Sequence, residues 1–318
     1  MIPGRWPAVI RMGRTPPGFL LDWRVFDRRQ GKNLQVIIPL PETSTVRTEN
    51  PPARWRGPSN KFRAAVLAFL AAIFLLVFYG TEIEPSWIEV THYRVAAPVT
   101  PPIKIAHLTD LHTRELGRPE RRLLELLAEE KPDLIVITGD VTHNDGKIED
   151  ARALLEQLHA PFGVWMVRGN WELWRPSEDA EEFFRSLGIH YLVNENARLR
   201  DGLWLVGLDD PRAGRPDPDR AWGGVPAGAY TITLVHAPVI FDALVNRTNL
   251  VLAGHTHGGQ LRLPFLPPLW MPGATGGYVQ GWYAKAGTRM YVSRGIGMSV
   301  LPVRFFCRPE LTILTLGK

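Results

Sequence analysis

The chain has 318 residues, 45% of them hydrophobic and 22% charged, which is ordinary for a globular protein with a substantial core. Its single cysteine, Cys307, excludes an internal disulfide. The net charge of +5 is concentrated in residues 1–63, where twelve Lys or Arg face four Asp or Glu, and the two signs nearly balance from residue 81 onward. The basicity therefore does not indicate a nucleic-acid partner for the main domain, and none is expected.

Residues 1–62 are rich in proline and arginine, and no helical or strand period persists through them. This composition predicts a basic, largely disordered tail. A tail that binds nucleic acid by itself is one alternative. A basic segment beside a hydrophobic run is more typical of a signal for membrane topology.

Residues 63–81 are predicted to form a transmembrane anchor. Eighteen uncharged and almost entirely apolar residues lie between Arg63 and Glu82, and as a helix they reach roughly 27 Å, enough to cross a hydrocarbon core. A buried core helix and a cleaved signal peptide are the alternatives. Basic residues precede the run and acidic ones follow it, so the positive-inside rule places the tail in the cytoplasm and the large domain outside.

After a linker and first strand at 82–100, the domain at 101–318 begins with alternating strands and helices. Strands are predicted at 103–108, 134–138 and 164–167, with helices at 120–130, 148–158 and 180–187. This βαβαβ rhythm predicts parallel strands joined by crossover helices. Later strands are predicted at 203–208, 230–235, 250–253, 290–293 and 311–316.

Side chains that can bind a metal follow five of these strands. They are Asp110 and His112, then Asp140, Asn170 and His236, and finally His255 and His257 within Gly-His-Thr-His-Gly-Gly. Sites in open α/β sheets form beyond the carboxyl ends of the strands, so we expect these groups to converge. Each motif alone is weak, but two imidazoles flanked by three glycines have little structural purpose.

Seven such groups make two metal sites if one carboxylate bridges them. Carboxylates together with imidazoles suit Mn, Fe or Zn better than Ca. Two divalent ions can hold a phosphoryl oxygen and acidify a water molecule. The pattern therefore predicts a hydrolase that acts on a phosphate ester or pyrophosphate.

These motifs resemble those of the calcineurin-like metallophosphoesterase superfamily over roughly residues 100–260. The resemblance implies an α/β fold, a four-layer α/β/β/α sandwich with a dinuclear metal centre. The transmembrane helix predicted from the apolar run would precede this domain. The resemblance also implies that Asp110, His112, Asp140 and His257 bind one metal. Asp140, Asn170, His236 and His255 would bind the other. Motifs between Ser293 and Leu311 look like the membrane-associated phosphodiesterase branch, which includes UDP-2,3-diacylglucosamine pyrophosphatases of lipid A synthesis.

The chain departs from the family pattern after Gly169-Asn170, where Trp171 replaces the usual histidine. That histidine is thought to protonate the leaving group, which an indole cannot do. The candidate catalytic residues are Asp140, Asn170, Glu172 and His143, the last as a substitute acid or else an ordinary loop histidine. Asn170, Trp171 and Arg114 are the candidate substrate-binding residues.

Two C-terminal features complete the predictions. Loop 262–283 combines large apolar residues with Pro and Gly, which would suit an acyl-chain substrate, contact with the bilayer, or a cover for the sheet edge. Arg304 and Glu310 are predicted to form a structural ion pair that closes the last strands, with a catalytic role as the alternative.

The leading hypothesis is hydrolysis of a phosphodiester or pyrophosphate, with UDP-2,3-diacylglucosamine as the named candidate. That nucleotide sugar is cytoplasmic, whereas the flanking charges place the domain outside. The alternatives are an extracytoplasmic phosphodiesterase or phosphatase of broad specificity, and a metal-binding module that has lost catalysis.

Overall fold

The computed structural model describes residues 59–143, 146–174 and 180–318, and the backbone alone at 20–27 and 32–39. The chain divides into two compact units, Met1–Arg63 and Ala64–Lys318.

The first unit contains an antiparallel hairpin. Strand β1 (Leu20–Asp27) pairs with β2 (Lys32–Pro39) along its whole length. The sequence predicts a tail without strands here, so the hairpin is a difference from that expectation. Both strands carry aromatic or β-branched residues, which favour extended backbone. The rest of the predicted tail lies almost entirely outside the described residues.

The predicted anchor is the long helix α1 (Asn60–Phe78), in which no side chain is buried. This exposure disagrees with the alternative of a buried core helix. By length and composition α1 is a candidate membrane span. A short π-helical turn at Tyr79–Ile83 and a 3₁₀ turn at Glu84–Ser86 lead from it into the domain.

Twelve strands and six helices form the rest of the described chain. The strands are β3 (Glu89–Ala96), β4 (Ile103–Leu108), β5 (Leu134–Thr138), β6 (Val164–Val167), β7 (Ile189–Tyr191), β8 (Glu195–Arg200), β9 (Leu203–Gly207), β10 (Tyr230–Leu234), β11 (Leu250–Ala253), β12 (Gly281–Lys285), β13 (Thr288–Val292) and β14 (Glu310–Gly317). The helices are α2 (Arg118–Glu130), α3 (Arg152–Leu155), α4 (Asn170–Trp174), α5 (Ala180–Ser186), α6 (Pro218–Ala221) and α7 (Phe241–Leu244).

The strands form two six-stranded sheets. The first has the order β3-β14-β4-β5-β6-β7, and the second has the order β12-β13-β11-β10-β9-β8. Parallel pairing runs through the centre of each sheet, at β4-β5-β6 in the first and β9-β10-β11-β13 in the second. The strand carboxyl ends therefore share one edge of each sheet, which is where the predicted metal ligands follow β4, β5, β6, β10 and β11.

Three apolar clusters define four layers. One cluster joins residues of both sheets, such as Ile105 and Leu252, and forms the core between them. A second packs the first sheet against α2, α3 and α5, and a third packs the second sheet against α6 and α7. The predicted α/β/β/α architecture is confirmed. The helix predicted at 148–158 is shorter, because its first turn is 3₁₀ and only Arg152–Leu155 is α-helical.

The predicted ion pair between Arg304 and Glu310 is wrong. Glu310 pairs instead with Arg294 at 3.1 Å. The fully buried Arg304 guanidinium donates to the backbone carbonyls of Arg294, Gly295, Gly297 and Cys307 at 2.6–3.1 Å. Five donors in a fixed fork suit this role, because the loop after β13 offers several inward carbonyls and no carboxylate.

We expect Arg304→Ala to lower the free energy of unfolding by about 3 kcal/mol, because several buried carbonyls would lose their donors. Chemical denaturation of the full chain in detergent micelles would measure the change. Arg185→Ala, which removes an exposed arginine paired with Glu181, is the control and should cost under about 0.5 kcal/mol. Equal losses in the two variants would contradict this role for Arg304.

Candidate metal centre

The first group of converging side chains consists of Asp110, His112 and His257. All three are buried, and their ligand atoms lie within 4.8 Å of one another. His257 Nε2 lies 3.2 Å from Asp110 Oδ1 and 3.2 Å from His112 Nε2. Three buried groups with lone pairs at this spacing can hold a metal ion.

The second group consists of Asp140, His236 and His255, which are buried with the same spacing. His236 Nε2 lies 3.1 Å from Asp140 Oδ2 and 3.1 Å from His255 Nδ1. Asp140 also reaches the first group, because Oδ2 lies 3.8 Å from His112 Nε2. It therefore occupies the place that a bridging carboxylate requires.

Asn170 completes the seven predicted ligands at the start of α4. Its side chain is buried and lines the same cleft as Asp140, His255 and His257. Its Oδ1 atom has no hydrogen-bond partner. An unpaired buried oxygen costs about 1–3 kcal/mol, and a divalent cation would supply the missing partner. The donor set therefore fits two metal ions.

Backbone carbonyls orient two of the imidazoles. His236 Nδ1 lies 2.7 Å from the carbonyl of Thr138, and His112 Nδ1 lies 3.1 Å from the carbonyl of Thr142. A carbonyl only accepts hydrogen bonds, so Nδ1 carries the proton in each ring. In the neutral form of each ring, Nε2 then has a lone pair directed into the cleft, as metal-binding histidines require.

The buried charges shift one another's protonation. Burial raises the pKa of Asp140 to about 6, although His236 opposes the shift. Burial disfavours the cation of His236, but the Asp140 carboxylate still raises the pKa of His236 well above its usual value. Burial, with repulsion from His236, lowers the pKa of His255 to about 3. Near neutral pH the metal-free pair Asp140–His236 therefore holds one proton on the imidazole.

Glu172, predicted among the catalytic residues, lies behind the ligands. Its carboxylate accepts hydrogen bonds from the backbone N–H groups of Asp140, Val141, Thr142 and Gly169 at 2.7–3.2 Å. These contacts join the loop after β5 to the loop after β6. We interpret Glu172 as a positioning residue.

The other predicted residues differ in their position relative to the cleft. Trp171 lines it, and the Trp171 ring meets the rings of Trp174 and His112 edge to face, at 5.1 and 6.4 Å between centroids. His143 is partly buried, with its ring 6.2 Å from that of His112. Arg114 is exposed on the loop after β4. Their catalytic or binding roles stay predictions.

Arg212 is a cleft residue that the sequence does not single out. Its guanidinium lies 4.8 Å from the centroid of the Trp174 ring, and Nη1 lies 3.3 Å from His255 Nε2. The signal was present in Asp209-Asp210-Pro-Arg after β9, which reads more simply as a turn. Asp210 does form that turn by accepting from the N–H groups of Arg212 and Ala213. The turn places the guanidinium beside the metal ligands.

Comparison with known proteins agrees with this geometry. Residues 103–259 match the calcineurin-like phosphoesterase family. The chain is 33% identical over 256 residues to the metallophosphoesterase YkuE of Bacillus subtilis, a match that covers 75% of this chain and 88% of YkuE. It is 32% identical over 252 residues to phosphodiesterase YaeI of Escherichia coli, covering 73% and 90%. A "transmembrane protein with metallophosphoesterase domain" of Danio rerio is 30% identical over 285 residues, covering 81% and 64%.

We expect the affinity of the metal-free protein for Mn²⁺ to rise with pH. A metal must displace the proton that the raised pKa of His236 retains at neutral pH, and below about pH 6 a second proton occupies Asp140. Affinity should fall about tenfold per unit below neutrality and more steeply below pH 6. Calorimetry in buffers of different ionisation enthalpy would measure the affinity and the protons released. Affinity independent of pH between 5 and 7 would contradict this assignment.

Proposed function

The chain belongs to the calcineurin-like metallophosphoesterase family, a family of phosphoric ester hydrolases, and we propose that it cleaves a phosphodiester or pyrophosphate with two divalent metal ions. The observation that carries this proposal is the position of Asp140 in contact with both groups of buried ligands. A single carboxylate between two sets of imidazoles serves a dinuclear centre better than a single ion.

In this proposal Asp110, His112, Asp140 and His257 hold one ion. Asp140, Asn170, His236 and His255 hold the other. The imidazole and carboxylate donors favour Mn, Fe or Zn. When bound, two such ions acidify a water molecule and offset the negative charge of the phosphoryl group.

The side chains around the ligands would position the phosphate. Arg212 brings a guanidinium to the cleft, where its planar donors suit a phosphate oxygen. Stacking of its guanidinium on the Trp174 ring holds it there. Trp171 and Trp270 line the same cleft and narrow its free volume to about 110 Å³. These rings provide apolar contacts for the groups that the phosphate links in the substrate.

The missing acid selects the leaving group. Trp171 stands where the family usually has a histidine, and an indole cannot deliver a proton to an alkoxide. A phosphate leaving group needs little acid catalysis, which favours a pyrophosphate. His143, beside His112, is the candidate substitute acid for esters with poorer leaving groups.

UDP-2,3-diacylglucosamine is the specific substrate that we propose, because it joins a pyrophosphate to acyl chains. Exposed apolar residues at the cleft mouth, including Trp270 and Val300, support an acylated substrate. The charges that flank α1 favour an external domain, where this cytoplasmic nucleotide sugar is absent. The alternative is thus an extracytoplasmic phosphodiesterase or phosphatase of broad specificity. Mapping on which side of the membrane the C-terminus lies would decide between them.

The full chain in detergent micelles, loaded with Mn²⁺ or Zn²⁺, tests the activity. We expect metal-dependent turnover of an aryl phosphodiester or of UDP-2,3-diacylglucosamine, with an aryl phosphomonoester assayed beside them. Asp140→Ala should lower turnover at least about 100-fold, because it removes the shared ligand. Asp242→Ala, at an exposed carboxylate, is the control and should keep activity. Two bound metals without turnover on any substrate would instead support a binding module that has lost catalysis.

We expect Trp171→His to raise kcat/KM for an alkyl phosphodiester at least about tenfold, because general acids typically contribute 10²–10⁴. The same variant should change hydrolysis of an aryl phosphodiester little, since its leaving group needs no proton. Trp171→Phe, which replaces the indole without adding an imidazole, is the control and should bring no gain. Equal effects of Trp171→His on the two leaving groups would exclude a role in proton transfer.

A further inference from the structure

Two loops beside the metal cleft expose large apolar side chains. The first, at residues 263–270, exposes Phe265 fully and Leu266, Leu269 and Trp270 by more than half. The second, at residues 300–301, exposes Val300 and Leu301 by more than half. We call these six side chains the apolar rim. Contiguous exposed apolar groups on a soluble domain mark a surface that binds another apolar phase.

The two loops are fixed to each other. The backbone of Arg262 donates to the carbonyl of Phe305 at 2.9 Å, and Phe305 donates to that of Gln260 at 3.0 Å. The Gln260 side-chain amide donates to the carbonyl of Leu301 at 2.8 Å and accepts from the N–H of Ser299 at 2.9 Å. These hydrogen bonds therefore hold the two rim loops in a fixed position relative to each other.

The same loops hold the end of the anchor. Arg304 donates its backbone N–H to the carbonyl of Gly80 at 2.9 Å. A Cβ atom at Gly80 would lie 2.9 Å from Val303 Cγ2, so the approach is close. The fully buried Glu84 carboxylate accepts from the N–H groups of Phe306 and Cys307 at 2.9 and 2.5 Å. The segment that follows helix α1 thus packs against the loop that carries two of the six rim side chains.

The rim also borders the metal cleft, because Trp270 and Val300 line it together with Asp140 and His255. Residues 261–274 and 299–306 contain no Asp or Glu, so no acidic group there would repel anionic headgroups. Trp87, where the anchor segment ends, is half exposed and has the Arg308 guanidinium 4.2 Å above its ring. Tryptophan and arginine are side chains that prefer the membrane interface.

We propose that the apolar rim inserts into the same bilayer that α1 spans, so that the metal cleft opens at the headgroup layer. The occupant is the lipid bilayer because the rim is continuous with the end of the candidate span. Hydrogen bonds join the end of the anchor to the loops that carry the rim. If α1 crosses the membrane, the rim must therefore lie close to the membrane surface. The proposal does not depend on the hydrolytic activity.

The first test uses the full chain reconstituted in phosphatidylcholine–phosphatidylglycerol vesicles. Because Cys307 is buried, a surface cysteine can be labelled selectively with an environment-sensitive fluorophore. We expect a label at Phe265→Cys to shift to shorter wavelength and to lose at least half of its emission to nitroxides on the lipid acyl chains. The control label, at Ala227→Cys, lies before β10 and thus at the sheet edge opposite the ligands, and it should be unaffected.

Quenching at Phe265 no greater than at Ala227 would overturn the proposal. A blue shift without quenching by the lipid nitroxides, and dependent on protein density, would also overturn it and would assign the rim to a second copy of this chain. Phe265 is fully exposed, so its replacement leaves the packing intact. A label at Leu266→Cys gives an independent second reading.

A second test rests on the proposed function. In the Phe265→Asp/Leu269→Asp variant we expect hydrolysis of a water-soluble aryl phosphodiester within twofold of the parent. Hydrolysis of the same aryl phosphodiester attached to a vesicle lipid should fall at least fivefold. An equal effect on both substrates would count against bilayer insertion. Inactivity of the parent on both would refute the proposed function alone, since the quenching experiment still tests the rim.

Discussion

The candidate centre depends on holding one carboxylate, that of Asp140, between two sets of imidazoles in a buried cleft. Two glycines permit this. A Cβ atom at Gly169 would lie 2.3 Å from Asp140 Oδ1, and one at Gly139 would lie 2.4 Å from the nitrogen of Gly169. Glu172 then ties the loops together through four backbone N–H groups. The Gly139-Asp140 and Gly169-Asn170 loops therefore form one clamp, because a glycine in each lets the two backbones lie close together beside the Asp140 carboxylate.

Hydrogen bonds and contacts between ligands explain how the buried cleft tolerates so many polar groups. Burial penalises each charge, but carbonyls accept from the outward nitrogens of His112 and His236, and neighbouring ligands contact the inward ones. The atoms left without partners include Asn170 Oδ1 and His257 Nδ1. A metal ion would supply the partner that the buried Asn170 Oδ1 lacks. We therefore expect a bound metal to complete the framework that the fold provides.

Much of this arrangement could be predicted from the sequence, because it follows from strand ends. Short apolar runs gave the strands, parallel order placed their carboxyl ends together, and all seven side chains from Asp110 to His257 do converge. What could not be predicted depends on local backbone direction. A turn at Asp210 places Arg212 in the cleft. Arg304 binds backbone carbonyls and not Glu310, because the packing of the loop after β13 determines which acceptors lie near it. The strands at 20–27 and 32–39 are not predicted, because the prolines and arginines that dominate residues 1–62 as a whole indicate a tail without regular structure.

The buried contact of Glu84 with the loop at 306–307 limits how far the metal cleft can move from the end of α1. The segment between α1 and the first sheet is hydrogen-bonded to the domain, so it is a rigid connection and not a flexible linker. With α1 across a bilayer, as we propose, this rigid connection would hold the metal cleft at a constant distance from the membrane surface. Reactants anchored in the same leaflet would meet the cleft by lateral diffusion in two dimensions, whereas molecules held in an apposed membrane would lie beyond its range.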